Sequence, residues 1–171
     1  MQQHQTQVLR RCGLHAVNNL LQQDKYTRAD FENLANEIKQ QTKQSHCTYY
    51  LGNYDINVIE KALLKENLEL MWINQTQTID IELLRDQQVY GLLINVIKEK
   101  SLIERICSWD PRHWISIRKI VNANNQLEFY YHDSQESVYR HEKDEKKMIQ
   151  MLIDFQKNKD NCLLLVKRKI N

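Results

Sequence analysis

The sequence predicts an α+β fold, and three observations predict it. Apolar residues recur at helical spacing from Cys12 to about Asn67. From Tyr90 onward they gather into short runs, alternating or continuous, with one late helical stretch. Only three glycines and one proline stand among 171 residues, so linker-rich and disordered readings fall away. At about 100–200 residues per domain the chain fits one domain, 1–171, large enough to bury a core without metals or disulfides.

The first helix is expected from Cys12 to about Gln23, with Ala16, Val17, Leu20 and Leu21 on one face. Thr27 is a good N-cap for a second, over Arg28 to about Gln41. With flanking residues this makes a helical arm at about 24–52. Residues 42–54 are polar, contain Gly52, and read as a loop or hairpin. Asp55 can cap a third helix carrying Val58, Ile59, Ala62 and Leu63, ending near Asn67. Leu68–Asn74 reads as a strand and Asp80–Arg85 as a short helix. Strands are expected at Tyr90–Ile97, Trp114–Val121 and Gln126–His132, with a hairpin turn at Asn122–Asn125. A helix over Asp144–Asn158 turns Met148, Met151, Leu152 and Phe155 inward. Cys162–Val166 is apolar throughout, as a central strand requires.

Charge excludes one class of partner. Lys+Arg 24 against Asp+Glu 22 leaves +2, with no long like-charge block. Nothing there recruits nucleic acid. The longest apolar run, around Tyr90–Ile97, contains Asn95 and is far short of the roughly 20 residues a membrane span needs. The first residues have no signal-peptide core, so the expected location is intracellular, cytoplasmic or nuclear. In that reducing setting Cys12, Cys47, Cys107 and Cys162 should not pair. No Cys/His set has zinc-ligand spacing, so no metal and no cofactor is expected. A monomer is the expected state.

Cys12 falls in the first turn of a helix. Unpaired N–H groups and the positive dipole end favour thiolate there. The following Gly13 lets a substrate backbone approach. Cys12 reads as a nucleophile or as a small core residue. A nucleophile needs a base. His15, three residues on, could lean back toward Cys12. His113 follows the turn Asp110-Pro111-Arg112 and opens a strand that would hold it, with Trp114 as a shield. Hairpin counting from Asn122–Asn125 brings His113 and Asp133 to the same end of two paired strands, about 5 Å apart. Asp133 is then an orienting carboxylate or a plain turn residue.

These residues sit in blocks that resemble a Josephin domain. The blocks are Gln7-Val8-Leu9-Arg10-Arg11-Cys12-Gly13-Leu14-His15-Ala16-Val17-Asn18-Asn19-Leu20-Leu21-Gln22, Gly52-Asn53-Tyr54-Asp55-Ile56-Asn57-Val58-Ile59, Gly91-Leu92-Leu93-Ile94-Asn95, Arg112-His113-Trp114-Ile115-Ser116-Ile117-Arg118 and Tyr130-Tyr131-His132-Asp133-Ser134. They come in the family's order and span nearly the whole chain. The likeness is closer to the small Josephin-only proteins than to the longer, polyglutamine-bearing member.

The resemblance implies a papain-like cysteine protease fold, N-terminal helices on a mostly antiparallel sheet, and deubiquitinase activity on ubiquitin and its conjugates. It maps the nucleophile to Cys12, the base to His113, the third residue to Asp133 and the oxyanion-hole glutamine to Gln7, joined by the Cys12 N–H. Gly13 and Trp114 become walls of the substrate cleft, and His15, Asn18 and Asn19 structural residues. Rival readings are a ubiquitin-binding module that no longer cleaves and a cysteine acyltransferase. The chain departs from the family pattern in a shorter arm over Asp24–Leu51, in His132 where an apolar residue is usual, in a charged insertion at Ile97–Asp110, and in Glu66 where the longer member exposes a tryptophan.

Overall fold

A computed structural model describes residues 2–8, 11–48, 53–97 and 112–170. Gly52, the turn at Asp110-Pro111, and nearly all of the expected insertion with Cys107 and Trp109 lie outside the described residues. In chain order the elements are α1 (Cys12–Leu21), α2 (Arg28–Thr42), β1 (Cys47–Thr48), β2 (Asn53–Tyr54), α3 (Ile56–Leu64), β3 (Leu68–Ile73), α4 (Ile81–Arg85), β4 (Val89–Ile97), β5 (Arg112–Val121), β6 (Leu127–Asp133), β7 (Arg140–Glu142), α5 (Glu145–Lys157) and β8 (Cys162–Arg168). The mixed helix-and-sheet architecture is the expected one.

The helices start where cap chemistry says they should. Thr27 and Asp30 form a reciprocal capping box on α2. Asp55, Asp80 and Asp144 accept first-turn N–H groups of α3, α4 and α5. The expected loop after α2 is a small hairpin, with β1 antiparallel to β2.

The main sheet has six antiparallel strands in the order β3-β8-β4-β5-β6-β7. Helices α1, α2 and α3 cover one face, where Leu20, Phe31, Leu34, Val58 and Ile59 meet Leu93, Leu164 and Val166. Helices α4 and α5 cover the other, where Leu84, Met148 and Leu152 meet Leu92, Ile94, Ile117 and Leu165. Both faces of β4 and β8 are therefore apolar. That is why these strands read as continuous runs, while half-covered strands would alternate. At α1, Arg118 of β5 donates to the Leu20 carbonyl (2.7 Å), which ties the end of the helix to the sheet. Strand β7 was not expected: Arg140-His141-Glu142 has no apolar pattern, and it pairs with β6 as the outermost strand. None of the helices among the described residues is long and apolar enough to cross a membrane.

Candidate active site

The site is assembled at one end of β5. Its ladder with β6 pairs Ile115 with Asp133. His113 is two residues further along β5, the diagonal cross-strand neighbour of Asp133 and on the same face. The His113 Nε2 and the Asp133 Oδ1 are 2.6 Å apart. The side chains are 3% and 9% exposed, so water does not compete for this bond. A carboxylate accepts, so Nε2 carries the hydrogen and Nδ1 is left as the basic ring nitrogen. Asp133 Oδ1 also accepts from the Gln135 N–H (2.9 Å), and the Asp133 carbonyl from the Glu136 N–H (2.9 Å). Asp133 is thus both a turn residue and the partner of His113.

Cys12 opens α1 and is buried. Its neighbour Gly13 is packed between Ile59 of α3 and Trp114 of β5. A Cβ there would lie 3.1 Å from Ile59 Cδ1 and 3.4 Å from Trp114 Cδ1. The glycine serves close packing of helix on sheet rather than an open cleft wall. This contact seats the first turn of α1 on β5 at Trp114, the residue after His113. The N-cap residue Arg11 places no side chain on the first-turn N–H groups of α1.

Gln7 reaches the site from the N-terminal segment. Its N–H donates to the Ser134 carbonyl (2.7 Å), and its Oε1 accepts from Ser134 Oγ (3.1 Å). Both bonds fix it beside Asp133 and turn its Nε2 away from Ser134. The segment itself lies along α1, bracketed by side-chain amides. The Gln3 N–H donates to Gln22 Oε1 (2.7 Å) and Gln22 Nε2 donates back to the Gln3 carbonyl (3.0 Å). Asn19 makes the same reciprocal pair with the backbone of Gln5 (2.6 and 3.1 Å). Asn18 donates to Gln5 Oε1 (3.2 Å).

His15 does not turn toward Cys12. Its Nδ1 is 2.9 Å from Gln5 Oε1, and burial, then the nearby Arg11 charge, push its pKa down. Its place is in the bracket. His4 and His132 were not anticipated as a unit. They stack at 5.3 Å beside Asp133, and only an unusual pairing of two histidines 128 positions apart marks them.

Trp114 is buried, yet it also borders a groove of about 280 Å³ with Tyr54, Ile56, Trp72 and Arg112. Trp72 is 57% exposed at its rim. Arg112 donates to Asn95 Oδ1 (2.8 Å) and to the Asp160 carbonyl (3.1 Å), which steadies the wall next to His113.

Comparison with known proteins gives the family. The Josephin family profile matches residues 7–167. A Josephin-like protein of Drosophila melanogaster is 30% identical over 129 residues, covering 73% of this chain and 58% of that protein. Josephin-2 of Homo sapiens is 29% identical over 119 residues, covering 68% and 62%. A Josephin-like protein of Arabidopsis thaliana is 27% identical over 134 residues, covering 68% and 35%. The chain therefore spans less than two thirds of the length of each of these relatives. The family match runs from Gln7 through the helix of Cys12 and the strands of His113 and Asp133 to β8, and the chain belongs to the Josephin family.

Proposed function

We propose that the chain is a cysteine-type deubiquitinase that hydrolyses peptide and isopeptide bonds at the C-terminus of ubiquitin. The observation that carries this reading is the buried His113–Asp133 bond of 2.6 Å, placed where the uncapped first turn of α1 meets β5. Family membership supports it.

In this reading Cys12 gives its Sγ proton to His113 Nδ1 and is stabilised as a thiolate by the helix N-terminus. Asp133, on Nε2–H, holds the ring and the imidazolium that forms. The thiolate attacks the carbonyl carbon of the terminal glycine. The oxyanion takes hydrogen bonds from the Cys12 N–H and Gln7 Nε2. As the C–N bond breaks, the imidazolium gives its proton to the leaving lysine amine. Water, deprotonated by His113, then opens the thioester and releases the ubiquitin carboxylate. The steps need no cofactor.

A ubiquitin bearing a C-terminal electrophile tests the reading. It should label the chain at Cys12, and isopeptide-linked di-ubiquitin should be cut. Cys12→Ala should lose both while its thermal midpoint stays near that of the parent. Binding without labelling or cleavage would instead make the chain a silent ubiquitin-binding module. Transfer to an added amine in place of hydrolysis would make it an acyltransferase.

A further inference from the structure

His132 lies on β6 beside Asp133, fully buried, with a partner on each ring nitrogen. His4 Nε2 is 2.9 Å from the Glu136 carbonyl, which can only accept. His4 Nε2 therefore carries a hydrogen, and in the neutral ring His4 Nδ1 is the acceptor. That atom is 3.1 Å from His132 Nδ1, which must then donate. His132 Nε2 is left as an acceptor, 3.3 Å from the Gln22 amide nitrogen. The bonds run one way, His132 Nδ1–H to His4 and His4 Nε2–H to the Glu136 carbonyl, while the two Gln22 Nε2 hydrogens go to the nearer Asn19 and Gln3 carbonyls. A proton added to His4 Nδ1 sets two donors face to face. A proton can also be added to His132 Nε2. The first breaks the bond between the rings; the second faces the Gln22 amide with no acceptor but leaves that bond in place.

Among the described residues no anion is placed to compensate. From β5, Arg118 faces His132, and the Ser116 hydroxyl lies across the ladder. Tyr139 packs on both rings. Tyr130 is engaged by Glu128 and stacked on His141, which itself meets Glu128. The Glu136 carboxylate is held by Arg140, and the Asp24 carboxylate by the Gln3 and Gln5 amides. From α1, His15 is turned to Gln5, and Asp133 to His113. Burial, then His4 and Arg118, hold the His132 pKa down at about 4, so its ring is neutral near pH 7.

We infer that His132 is a positioning residue: through the Nδ1–H that it donates to His4 it docks residues 2–8, and with them Gln7, on the end of β6, and does so only while His4 Nδ1 is free of a proton. The link to catalysis rests on the oxyanion role given to Gln7 above; the docking itself does not. His4 stands three residues before Gln7 on the same segment, and Glu136 follows Ser134, which holds Gln7. Releasing the histidine bond frees one of the ties that set the Gln7 amide.

Two measurements on the full chain test this. Nitrogen-15 spectra of the histidine rings near pH 7 should show the Nδ1–H tautomer at His132 and the Nε2–H tautomer at His4; an imidazolium at His4 or the opposite tautomer at either ring overturns the proposal. Amide exchange of Gln5 and Gln7, corrected for intrinsic rate, should rise as the pH falls from 7 to 4, and unchanged protection overturns it as well. Both readouts hold even for a chain that cuts nothing, so failure of the deubiquitinase reading would be seen separately, as a parent that neither labels nor cleaves. On ubiquitin substrates, His132→Leu should lower kcat about tenfold at neutral pH with KM unchanged, the loss expected for one buried hydrogen bond. His132→Asn should restore kcat, because its amide can donate to neutral His4 or turn its oxygen to protonated His4. It should also remove the acid-induced exchange. A Leu variant with parental kcat, or an Asn variant no better than Leu, refutes the positioning role.

Discussion

Asp133 gives the sharpest test of the proposed chemistry. In Asp133→Ala the bond to His113 Nε2 disappears, and so does the bond that Asp133 Oδ1 accepts from the Gln135 N–H. The first is short, buried and charge-assisted. Such bonds are worth about 1.5–3 kcal/mol, and the imidazolium formed during acylation needs that bond most. Converted at about 1.4 kcal/mol per factor of ten, kcat should fall by roughly tenfold to 150-fold. Asp133→Asn is milder. Its amide oxygen can still accept from both Nε2–H and Gln135, and only the charge is lost. Charge roughly doubles the strength of such a bond, so about half the loss, near tenfold or less, should remain. Asp133 is a poor proton acceptor beside imidazole, since a carboxylate has a reference pKa of about 3.9 against about 6.5 for histidine. His113→Ala should therefore be the worst of the three, for it removes the base and the proton donor together. Steady-state cleavage of a fluorogenic ubiquitin C-terminal amide would measure all three, with thermal midpoints to show that the proteins are folded. If Asp133→Ala cleaves as fast as the parent, another group orients His113 and the assignment fails.

Three further outcomes are expected. Hydrolysis should persist in a strong chelator with the thiol kept reduced, because thiolate chemistry needs no Lewis acid; activity lost to chelator and restored by zinc would reverse this. Hydrogen bonds from Asn122 and Tyr130, then His141, and the Lys143 charge hold Glu128 down at about 2, below its usual 4.5. Its share of stability is full above pH 4.5 and is lost as the pH falls through about 2. Glu128→Gln should make acid unfolding shallower across that window, and an unchanged profile would refute the linkage. Gly91→Ala should lower stability by roughly 2–3 kcal/mol or prevent folding, since a Cβ would sit 2.4 Å from the Ile117 carbonyl oxygen and 2.7 Å from Leu20; an unmoved urea midpoint would contradict the packing.

What the sequence discloses depends on the range of the interaction. The His113–Asp133 neighbourhood is legible because it rests on one hairpin, and counting back from Asn122–Asn125 places both residues at the same end. The approach of the start of α1 to that end depends on a helix docking on a sheet, with Gly13 fitted between Ile59 and Trp114. Residue spacing does not encode such docking, and the family resemblance supplied it. The continuous runs of β4 and β8 announce strands covered on both faces. Strand β7 is silent, since Arg140 and Glu142 spend their side chains on polar contacts and the strand is held by its ladder to β6 and by Arg140 over the Tyr131 ring (5.0 Å). The N-terminal bracket is silent for another reason. Asn18, Asn19 and Gln22 lie in a sequence rich in amides, and nothing in their pattern separates the three that hold the N-terminal segment from the rest.

That bracket also divides the candidate site into two halves of different rigidity. His113 is fixed by a strand paired on both sides, with Val96 opposite it on β4, and Asp133 is fixed by the ladder that faces Ile115. Such ladders give way only with the sheet itself. Gln7 has no strand to hold it. Its segment depends on the amides of Asn18, Asn19 and Gln22, on Ser134, and on the directional run through His132 and His4. Apart from the backbone bond of the Gln7 N–H to the Ser134 carbonyl, each tie is a single side chain, so one substitution or one proton can remove it while the fold stands. In the proposed mechanism the rigid half moves protons and the strapped half stabilises the oxyanion. The two functions can therefore fail independently, and an enzyme that still forms its thiolate can lose turnover through residues that never touch substrate.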